Sequence, residues 1–450
     1  MDFFNHQMNK SQIGHLIKYL GIFFVTLVLT LGLSSTINWS FIFNQAQAQP
    51  QTPAQPRIQL KPQVIRGVWM TNNDLDVLRD RTKLKAALTK LKGLNFNTIY
   101  PVVWNSGYAF YPSPTAKQAG IQPFVYKGTE GQDILDDLIT QAHSLGLRVI
   151  PWFEFGFMAP PTSELAINKA EWLTQRRDGT FSSISSADGE NVWLNPFRPE
   201  VQDFITSLVL EVISQYDVDG IQFDDHTSLP KEFGYDRFTV DLYKKGNLIR
   251  ECKPQVLPKN PKSAKPAKLE KPLPPICTTR RQPQGEPPRN VNNPAWVKWR
   301  ADKITEFMVK LNKTVKAKKP EVVFSISPNY YDFAYKEQLQ DWSDWVKKGV
   351  ADEIIMQAYR SDLKGFVDLI ERAEVSETRK KIPIAIAILT GLRSSPAPMN
   401  QIQPQVLAAQ QRNLGIAFFY FNSLWDYGPE PILERQSRFR SFFVSSTVRS

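Results

Sequence analysis

The stretch DGIQFDDH, residues 219–226, has the pattern of a buried β-strand that ends in three ionisable side chains. Alternation along a strand places Gly220, Gln222 and Asp224 on one face and the two apolar residues between them on the other. A buried carboxylate without a partner is costly, so two aspartates together at a strand end favour a use for them. The stretch therefore predicts a β-strand with functional residues at its C-terminal end.

Outward from this strand, similar apolar runs recur along the chain. The candidate strands are IRGVWM (65–70), NTIYPVVW (97–104), LRVIPWF (147–153), VDGIQFD (218–224), EVVFSIS (321–327), EIIMQAY (353–359), IPIAIAI (382–388) and LGIAFFYF (414–421). The segments between them carry apolar residues at helical spacing, such as Leu84, Leu88 and Leu91; Leu135, Leu138, Ile139 and Ala142; Val201, Phe204, Ile205, Leu208 and Val212; and Ile304, Phe307, Met308 and Leu311.

Near-continuous apolar strands that alternate with amphipathic helices predict an α/β fold whose parallel sheet is covered on its outer face. Eight such strands match an eight-stranded parallel (β/α)8 barrel of the TIM type. A doubly wound open sheet is the alternative, but no Gly-rich nucleotide-binding turn follows any strand. Long loops follow the third strand (155–200) and the fourth strand (225–294), and both would rise from the C-terminal face, where barrel enzymes keep their active sites.

The barrel geometry gives the acidic strand ends a candidate role. Asp224 would point into the barrel mouth, with Asp225 and His226 starting the next loop. Glu154 ends the third strand in the same way, within WFEFGF. Two acids near aromatic surface can have their pKa values pushed apart, as glycosidic cleavage requires of an acid and a nucleophile or base. Alternatively, these carboxylates form structural ion pairs or cap a turn.

Aromatic and amide side chains cluster at the same predicted strand ends. Flat rings suit the apolar faces of a sugar, and amides suit its hydroxyl groups, so together they predict a sugar groove. Each ring taken alone can equally be part of the core. The candidate substrate-binding residues are Trp69, Asn72, Trp104, Asn105, Tyr108, Trp152, Asn195, Gln357, Tyr359, Asn422 and Trp425.

The formal net charge of +11 is concentrated in one segment. Residues 253–290 hold nine basic residues against two acidic ones, a local charge of +7, so a nucleic-acid partner is not predicted. We expect a Pro- and Lys-rich insertion there, either a solvated spacer or a patch for an anionic wall polymer or membrane surface. Cys252 and Cys277, the only two cysteines, bracket most of it and predict a disulfide in an exported protein, although spacing alone also allows two free thiols.

The N-terminus predicts export. Residues 1–48 combine lysines, the apolar run YLGIFFVTLVLTLGL (19–33) and the small-residue sequence Ala46-Gln47-Ala48, as a secretory signal peptide does. The same pattern fits an uncleaved membrane anchor. Residues 49–63 are rich in proline and glutamine and indicate a linker, which leaves 64–445 for the barrel. The expected location is the periplasm, the cell envelope or the exterior.

Five motifs in order resemble the bacterial glycosyl-hydrolase-like family ten. They are RGVWMTNNDLDVL (66–78), NFNTIYPVVWNSGYAFYPS (95–113), VWLNPFRPEVQDFI (192–205), DGIQFDDH (219–226) and LQDWSDWVKKGVADEIIMQAYRSD (339–362). The resemblance implies a β/α barrel that hydrolyses glycosidic bonds in an exported polysaccharide, with the glycan strands of peptidoglycan as the leading substrate.

A more distant similarity is to the α-amylase superfamily, whose fourth-strand pattern places Asp224 at the nucleophile position. Gln222 stands where that pattern has arginine, and the fifth strand ends SISPN (325–329) without a glutamate. The acid role therefore passes to Glu154, with Asp332 as a weaker substitute, and Asp225 and His226 are expected to tune the charge of the site.

Two other functions are compatible with the sequence. One is a carbohydrate-binding barrel without catalysis, since fold alone does not guarantee turnover. The other is a metal-dependent polysaccharide hydrolase or deacetylase, suggested by Asp224, Asp225 and His226. Beyond the leader the only histidines are His143 and His226, so neither a histidine-rich metal site nor a cofactor is predicted, while a carboxylate-bound Ca²⁺ stays open.

Overall fold

The computed structural model describes residues 64–122, 131–185, 189–253, 276–282 and 285–443. The predicted leader (1–48), the linker (49–63) and most of the basic insertion lie outside the described residues. Among the described helices, none is both long and apolar enough to cross a membrane.

Eight parallel strands form the centre of the fold. They are β1 (Arg66–Met70), β2 (Thr98–Asn105), β3 (Arg148–Val149 and Trp152–Phe153), β4 (Gly220–Asp224), β5 (Val323–Ser327), β6 (Glu353–Gln357), β7 (Ile384–Leu389) and β8 (Gly415–Phe419). Each strand pairs with its neighbours in chain order, and β1 pairs with both β2 and β8, so the sheet closes on itself. The (β/α)8 prediction is confirmed, and the open-sheet alternative is wrong.

Helices follow the strands around the barrel. The main ones are α1 (Arg81–Gly93), α2 (Ile134–Ser144), α3 (Pro199–Gln215), α4 (Pro294–Lys318), α5 (Trp342–Lys347), α6 (Leu363–Ile370), α7 (Met399–Gln411) and α8 (Ile432–Phe442). Shorter helices are Leu75–Leu78, Pro114–Gln118, Glu164–Asn168, Arg237–Lys244, Tyr331–Gln338 and Ala373–Arg379, with 3-10 turns at Asn72–Asp74, Ala170–Trp172 and Asn422–Leu424. Every apolar stripe predicted from the sequence is buried.

Local sequence explains where the helices begin. The side chain of Asp80 accepts hydrogen bonds from the second and third backbone N–H groups of α1, and Asp133 does the same for α2. Pro199 and Pro294 open α3 and α4, at the position where a missing N–H costs nothing.

Inward-pointing polar side chains lie in layers along the barrel axis, from the N-terminal end toward the C-terminal end of β4. Near the N-terminal end of the barrel, Glu353 of β6 accepts hydrogen bonds from the Tyr100 hydroxyl and the Arg148 guanidinium. One layer higher, Gln222 accepts from the Trp69 indole at 2.7 Å and donates to the Ser325 hydroxyl at 2.9 Å. The face of β4 that holds Gln222 and Asp224 therefore points inward, as alternation predicts.

The insertion after β4 begins and ends in an antiparallel strand pair, Asn247–Lys253 with Ile276–Gln282. The register sets Cys252 opposite Cys277, Cys277 is disulfide-bonded, and these are the only cysteines in the chain. The base of the insertion is thus a paired hairpin, which the spacer interpretation did not anticipate. Further short strands lie in the loops: Tyr108–Ala109, Met158–Ala159, Ser182–Ser185, Gly189–Trp193, Gly391–Leu392 and Ser395–Pro396.

Candidate active site

Asp224 lies at the C-terminal end of β4 and is almost fully enclosed, with 2% of its surface exposed. One carboxylate oxygen accepts a hydrogen bond from the Trp152 indole at 3.1 Å, and the other accepts from the backbone N–H of His226 at 2.9 Å. Burial raises the pKa of Asp224 to about 6, although His226 opposes the shift. The carboxyl group of Asp224 therefore changes charge near pH 6.

Asp225 starts the loop after β4 and is partly exposed. Its oxygens accept three hydrogen bonds of 2.9 Å from side-chain amides, those of Asn329, Gln338 and Gln357. The three donors come from the ends of β5 and β6 and from the helix Tyr331–Gln338. Because each donor sits on a different element, the barrel fixes the orientation of this carboxylate.

Glu154 follows β3 directly and is partly buried. Its carboxylate accepts a hydrogen bond from the amide of Asn105, at the end of β2. The backbone carbonyl of Glu154 lies 3.0 Å from Nδ1 of His226, and the same ring nitrogen is 3.3 Å from a carboxylate oxygen of Asp224. His226 thus connects the ends of β3 and β4.

Gly156 permits this close approach between the two loops. Its φ of +47° is in the left-handed region that favours glycine, and a Cβ built there would lie 2.7 Å from the backbone of His226 and Thr227. In the same contact, the backbone N–H of Phe157 donates a hydrogen bond to the His226 carbonyl at 3.1 Å. The two acid-bearing loops are therefore held together by main-chain contact.

Tyr359 connects the three acids electrostatically. It follows β6, is partly buried, and its ring packs against Phe419 with centroids 5.7 Å apart. Burial raises the pKa of its hydroxyl well above the ordinary value, and the charges of Asp225, Asp224 and Glu154 raise it further, in that order. All three carboxylates therefore act on one hydroxyl at the mouth of the barrel.

The predicted site residues fall into three groups, at the mouth, at the rim and away from both. Those that meet at the mouth are Glu154, Asp224, Asp225, His226, Asn105, Trp152, Gln357 and Tyr359. At the rim, Asn72 is exposed, Asn422 donates its amide to the Asn73 carbonyl, and Tyr108 is partly buried in the short strand after β2.

The structure does not bring four of the predicted sugar-contact residues to the mouth, because their side chains are enclosed and engaged elsewhere. Trp104 is fully buried against Phe204 of α3, and Asn195 uses its amide on Asp236 and Thr239. Trp425 packs on Phe439 beneath Lys90, and Trp69 lies one layer below the mouth on Gln222. For Trp104 and Trp425, a strand-end position in the sequence did not distinguish the inner face of the barrel from the face beneath the helices.

The surroundings of Asp332 disfavour a role as substitute acid. It is exposed and lies 2.6 Å from Arg372, whose hydrogen bond lowers the pKa of Asp332. A carboxyl group with a lowered pKa is a poor proton donor.

Two residues that contact Asp225 were not predicted from the sequence as site residues. Asn329 ends SISPN at the end of β5, so the strand-end rule could have found it. Gln338 ends a helix and carries no comparable signal, because only the folded chain brings it to Asp225.

The acidic cluster offers ligand atoms that suit a cation. Asp224, Asp225 and His226 each offer a ligand atom, and these atoms lie within 4.8 Å of one another. Both oxygens of each aspartate, however, already accept hydrogen bonds from N–H groups. Such donors hold a carboxylate in place and leave lone pairs on its oxygens, so these contacts neither exclude a cation nor require one.

Comparison with known sequences gives the family. The profile described as glycosyl hydrolase-like 10 matches residues 64–262 and 263–408. The chain belongs to this family. It is 26% identical over 374 residues to the glycosyl hydrolase DigH of Escherichia coli K12, covering 74% of this chain and 73% of DigH. It is 20% identical over 317 residues to the glycosyl hydrolase YngK of Bacillus subtilis, covering 65% of this chain and 52% of YngK.

Solved structures support the fold. The PgaB (BpsB) glycoside hydrolase domain of Bordetella bronchiseptica superposes with a TM-score of 0.57 at 12% identity, covering 86% of this chain and 100% of that domain. α-L-Fucosidase isoenzyme 2 of Paenibacillus thiaminolyticus gives 0.55 at 13% identity, covering 84% of this chain and 49% of its own. The predictions of the family and of a glycosidase agree with these relatives.

Proposed function

We propose that this protein is an exported glycoside hydrolase that cleaves a polysaccharide with the carboxyl groups at the ends of β3 and β4. The observation that carries the proposal is that His226 joins the two strand ends at the barrel mouth, with its Nδ1 3.0 Å from the Glu154 carbonyl and 3.3 Å from the Asp224 carboxylate. Paired carboxyl groups at this end of a barrel can supply both the acid and the nucleophile or base of glycosidic cleavage.

The roles of the three acids follow the fourth-strand pattern, which places Asp224 at the nucleophile position. Glu154, partly exposed beside the Asn105 amide, protonates the leaving glycosidic oxygen as that bond breaks. Asp224, ionised above its pKa of about 6, acts as nucleophile on the anomeric carbon or as base on the attacking water. Asp225, fixed by three amides, adds negative charge that stabilises the positively charged transition state.

We place the glycan strands of peptidoglycan first among the candidate polymers. The family resemblance implies an exported polysaccharide as substrate, and a leader at residues 1–48 would deliver the barrel to the cell envelope. The basic segment 253–290 would add attraction to anionic wall polymers or to a membrane surface.

Release of new reducing ends tests the proposed activity. Purified protein would be incubated with peptide-free peptidoglycan glycans, chitin and neutral glucans, in the presence and absence of a chelator. We expect release from the peptidoglycan glycans, unchanged by the chelator. Binding without release from any polymer would favour a carbohydrate-binding barrel, and release that stops with the chelator would favour a metal-dependent hydrolase.

Two further assays test location and retention. Fractionation of cells that express the full chain should place it outside the cytoplasm, and an N-terminal sequence that starts after Ala48 would favour cleavage over anchoring. Deleting residues 254–275 should weaken salt-dependent retention on isolated cell walls. Unchanged retention would make the segment a spacer.

A further inference from the structure

Phe419, the last residue of β8, lies on the inward face of the barrel. Its neighbour Phe418 points the other way, toward the helices, and the centre of its ring is 5.2 Å from that of Phe439 in α8. Because side chains alternate along a strand, Phe419 faces the barrel axis. Phe418 is fully buried, whereas Phe419 is partly exposed. Phe419 therefore offers accessible ring surface at the C-terminal end of the barrel.

Three aromatic side chains from other strands pack around Phe419. The centre of its ring lies 6.0 Å from that of Trp69, 6.2 Å from that of Trp152 and 5.7 Å from that of Tyr359. Trp69 and Trp152 expose only 1% and 3% of their surface, and Trp69 lies one layer below the mouth, on Gln222. The exposed part of the Phe419 ring therefore faces the mouth.

Trp152 joins this ring directly to the proposed catalytic carboxylate. Its ring meets that of Phe419 edge to face, at an angle of 87°, and its indole N–H donates to Asp224 at 3.1 Å. One side chain thus contacts both the Phe419 ring and the Asp224 carboxylate. A sugar that packs on Phe419 would lie beside the end of β4.

Hydrogen bonds fix the backbone on both sides of the ring. Thr390 donates its backbone N–H and its hydroxyl to the Phe419 carbonyl, each at 3.0 Å. The backbone N–H of Tyr420 donates to the Ser423 hydroxyl at 2.8 Å. With these contacts and the packed rings around it, Phe419 is held in place before a ligand arrives, which lowers the entropy cost of binding.

We infer that Phe419 is the floor of the cleavage subsite, on which the sugar that carries the reacting anomeric carbon packs its apolar face. A phenyl ring offers neither a hydrogen-bond donor nor a strong acceptor, so it recognises C–H surface rather than hydroxyl groups. This inference rests on the proposed function and deepens it, because it names the side chain that holds the reacting sugar beside Asp224.

Affinity for short oligosaccharides tests this floor without turnover. The full chain would carry Glu154→Gln to slow cleavage, alone or combined with Phe419→Leu, Phe419→Tyr or the matched control Phe418→Leu. Leucine keeps an apolar side chain but has no flat face, whereas tyrosine keeps the ring. Each protein would be titrated by calorimetry with tetrasaccharides from peptide-free peptidoglycan, chitin and cellulose, and thermal unfolding would confirm that it is folded.

For the tetrasaccharide that binds most tightly, we expect Phe419→Leu to lower the affinity roughly tenfold and Phe419→Tyr to stay within about threefold of the parent. Phe418→Leu should lower the unfolding temperature and leave the affinity unchanged, because its ring packs beneath α8. The inference is overturned if no tetrasaccharide binds, if Phe419→Leu keeps full affinity, or if Phe419→Tyr or Phe418→Leu loses as much as Phe419→Leu. Binding needs no hydrolysis, so this assay can fail while the reducing-end assay succeeds, and the reverse.

Discussion

At the scale of single residues, the account depends on the charge of Asp224. Its enclosure raises the pKa to about 6, while its two N–H donors keep the carboxylate oriented toward the mouth. The neighbouring ionisable groups are Asp225, Glu154, His226 and Tyr359. Asp224 therefore sets one limb of the pH dependence of hydrolysis.

The expected pH profile follows from the proposed role. If ionised Asp224 acts as nucleophile or base, kcat/KM should rise through pH 6 and fall about tenfold for each unit below it, because only the deprotonated fraction reacts. Initial rates between pH 4 and 9 measure this. A rate that instead declines as pH rises through 6 would make Asp224 the acid.

At the scale of elements, the C-terminal ends of β3 and β4 together supply the acidic residues of the site. The contact between their loops depends on Gly156, whose φ of +47° and lack of a Cβ leave room for the His226 backbone. Adding one methyl group there must move one loop away from the other, and with it Glu154 or Asp224.

Gly156→Ala should therefore reduce kcat by at least about tenfold, because small misplacements of catalytic groups are costly. Thermal unfolding should show a folded barrel. Gly179→Ala is a suitable control, since that glycine also has a positive φ but a Cβ added there would meet no atom within 4 Å. Full activity in Gly156→Ala would mean that the loop contact is not needed.

The strands and helices could be predicted because their signals are local. Apolar runs gave all eight strands to within a few residues, and the inward face of β4 follows from alternation. The site was only partly predictable, because it depends on which face of a strand end looks into the barrel. Trp104 and Trp152 both lie near strand ends, yet one packs under α3 and the other donates to Asp224. Gln338 reaches Asp225 only through tertiary structure.

At the scale of the whole molecule, closure of the barrel joins the first strand to the last. Asp74, fully buried after β1, accepts hydrogen bonds from the backbone N–H groups of Thr71 and, across the closure, Asn422. Burial raises the pKa of Asp74 to about 7. This carboxyl group connects the β1 and β8 loops on the rim of the proposed groove.

Because its pKa is raised, the contribution of Asp74 to the stability of the folded protein depends on pH. The folded state holds the Asp74 proton up to about pH 7, whereas an unfolded aspartate releases it near pH 4, so the group's contribution to stability is greatest below pH 4 and is lost as pH rises to 7. Relative to Asp74→Asn, the wild type should lose on the order of 3 kcal/mol across this interval. Unfolding by denaturant at several pH values measures the difference. A difference that does not vary with pH would show that Asp74 keeps an ordinary pKa.

The most direct test of the central claim is the hydrolysis rate of Asp224→Asn and Glu154→Gln, measured on whichever glycan the wild type cleaves. Asp332→Asn is the matched control, because it removes an exposed carboxylate that pairs with Arg372 outside the cluster. We predict a loss of at least about a hundredfold in kcat for both cluster variants and little change in the control. Wild-type rates in folded Asp224→Asn and Glu154→Gln would contradict the assignment of catalysis to the ends of β3 and β4.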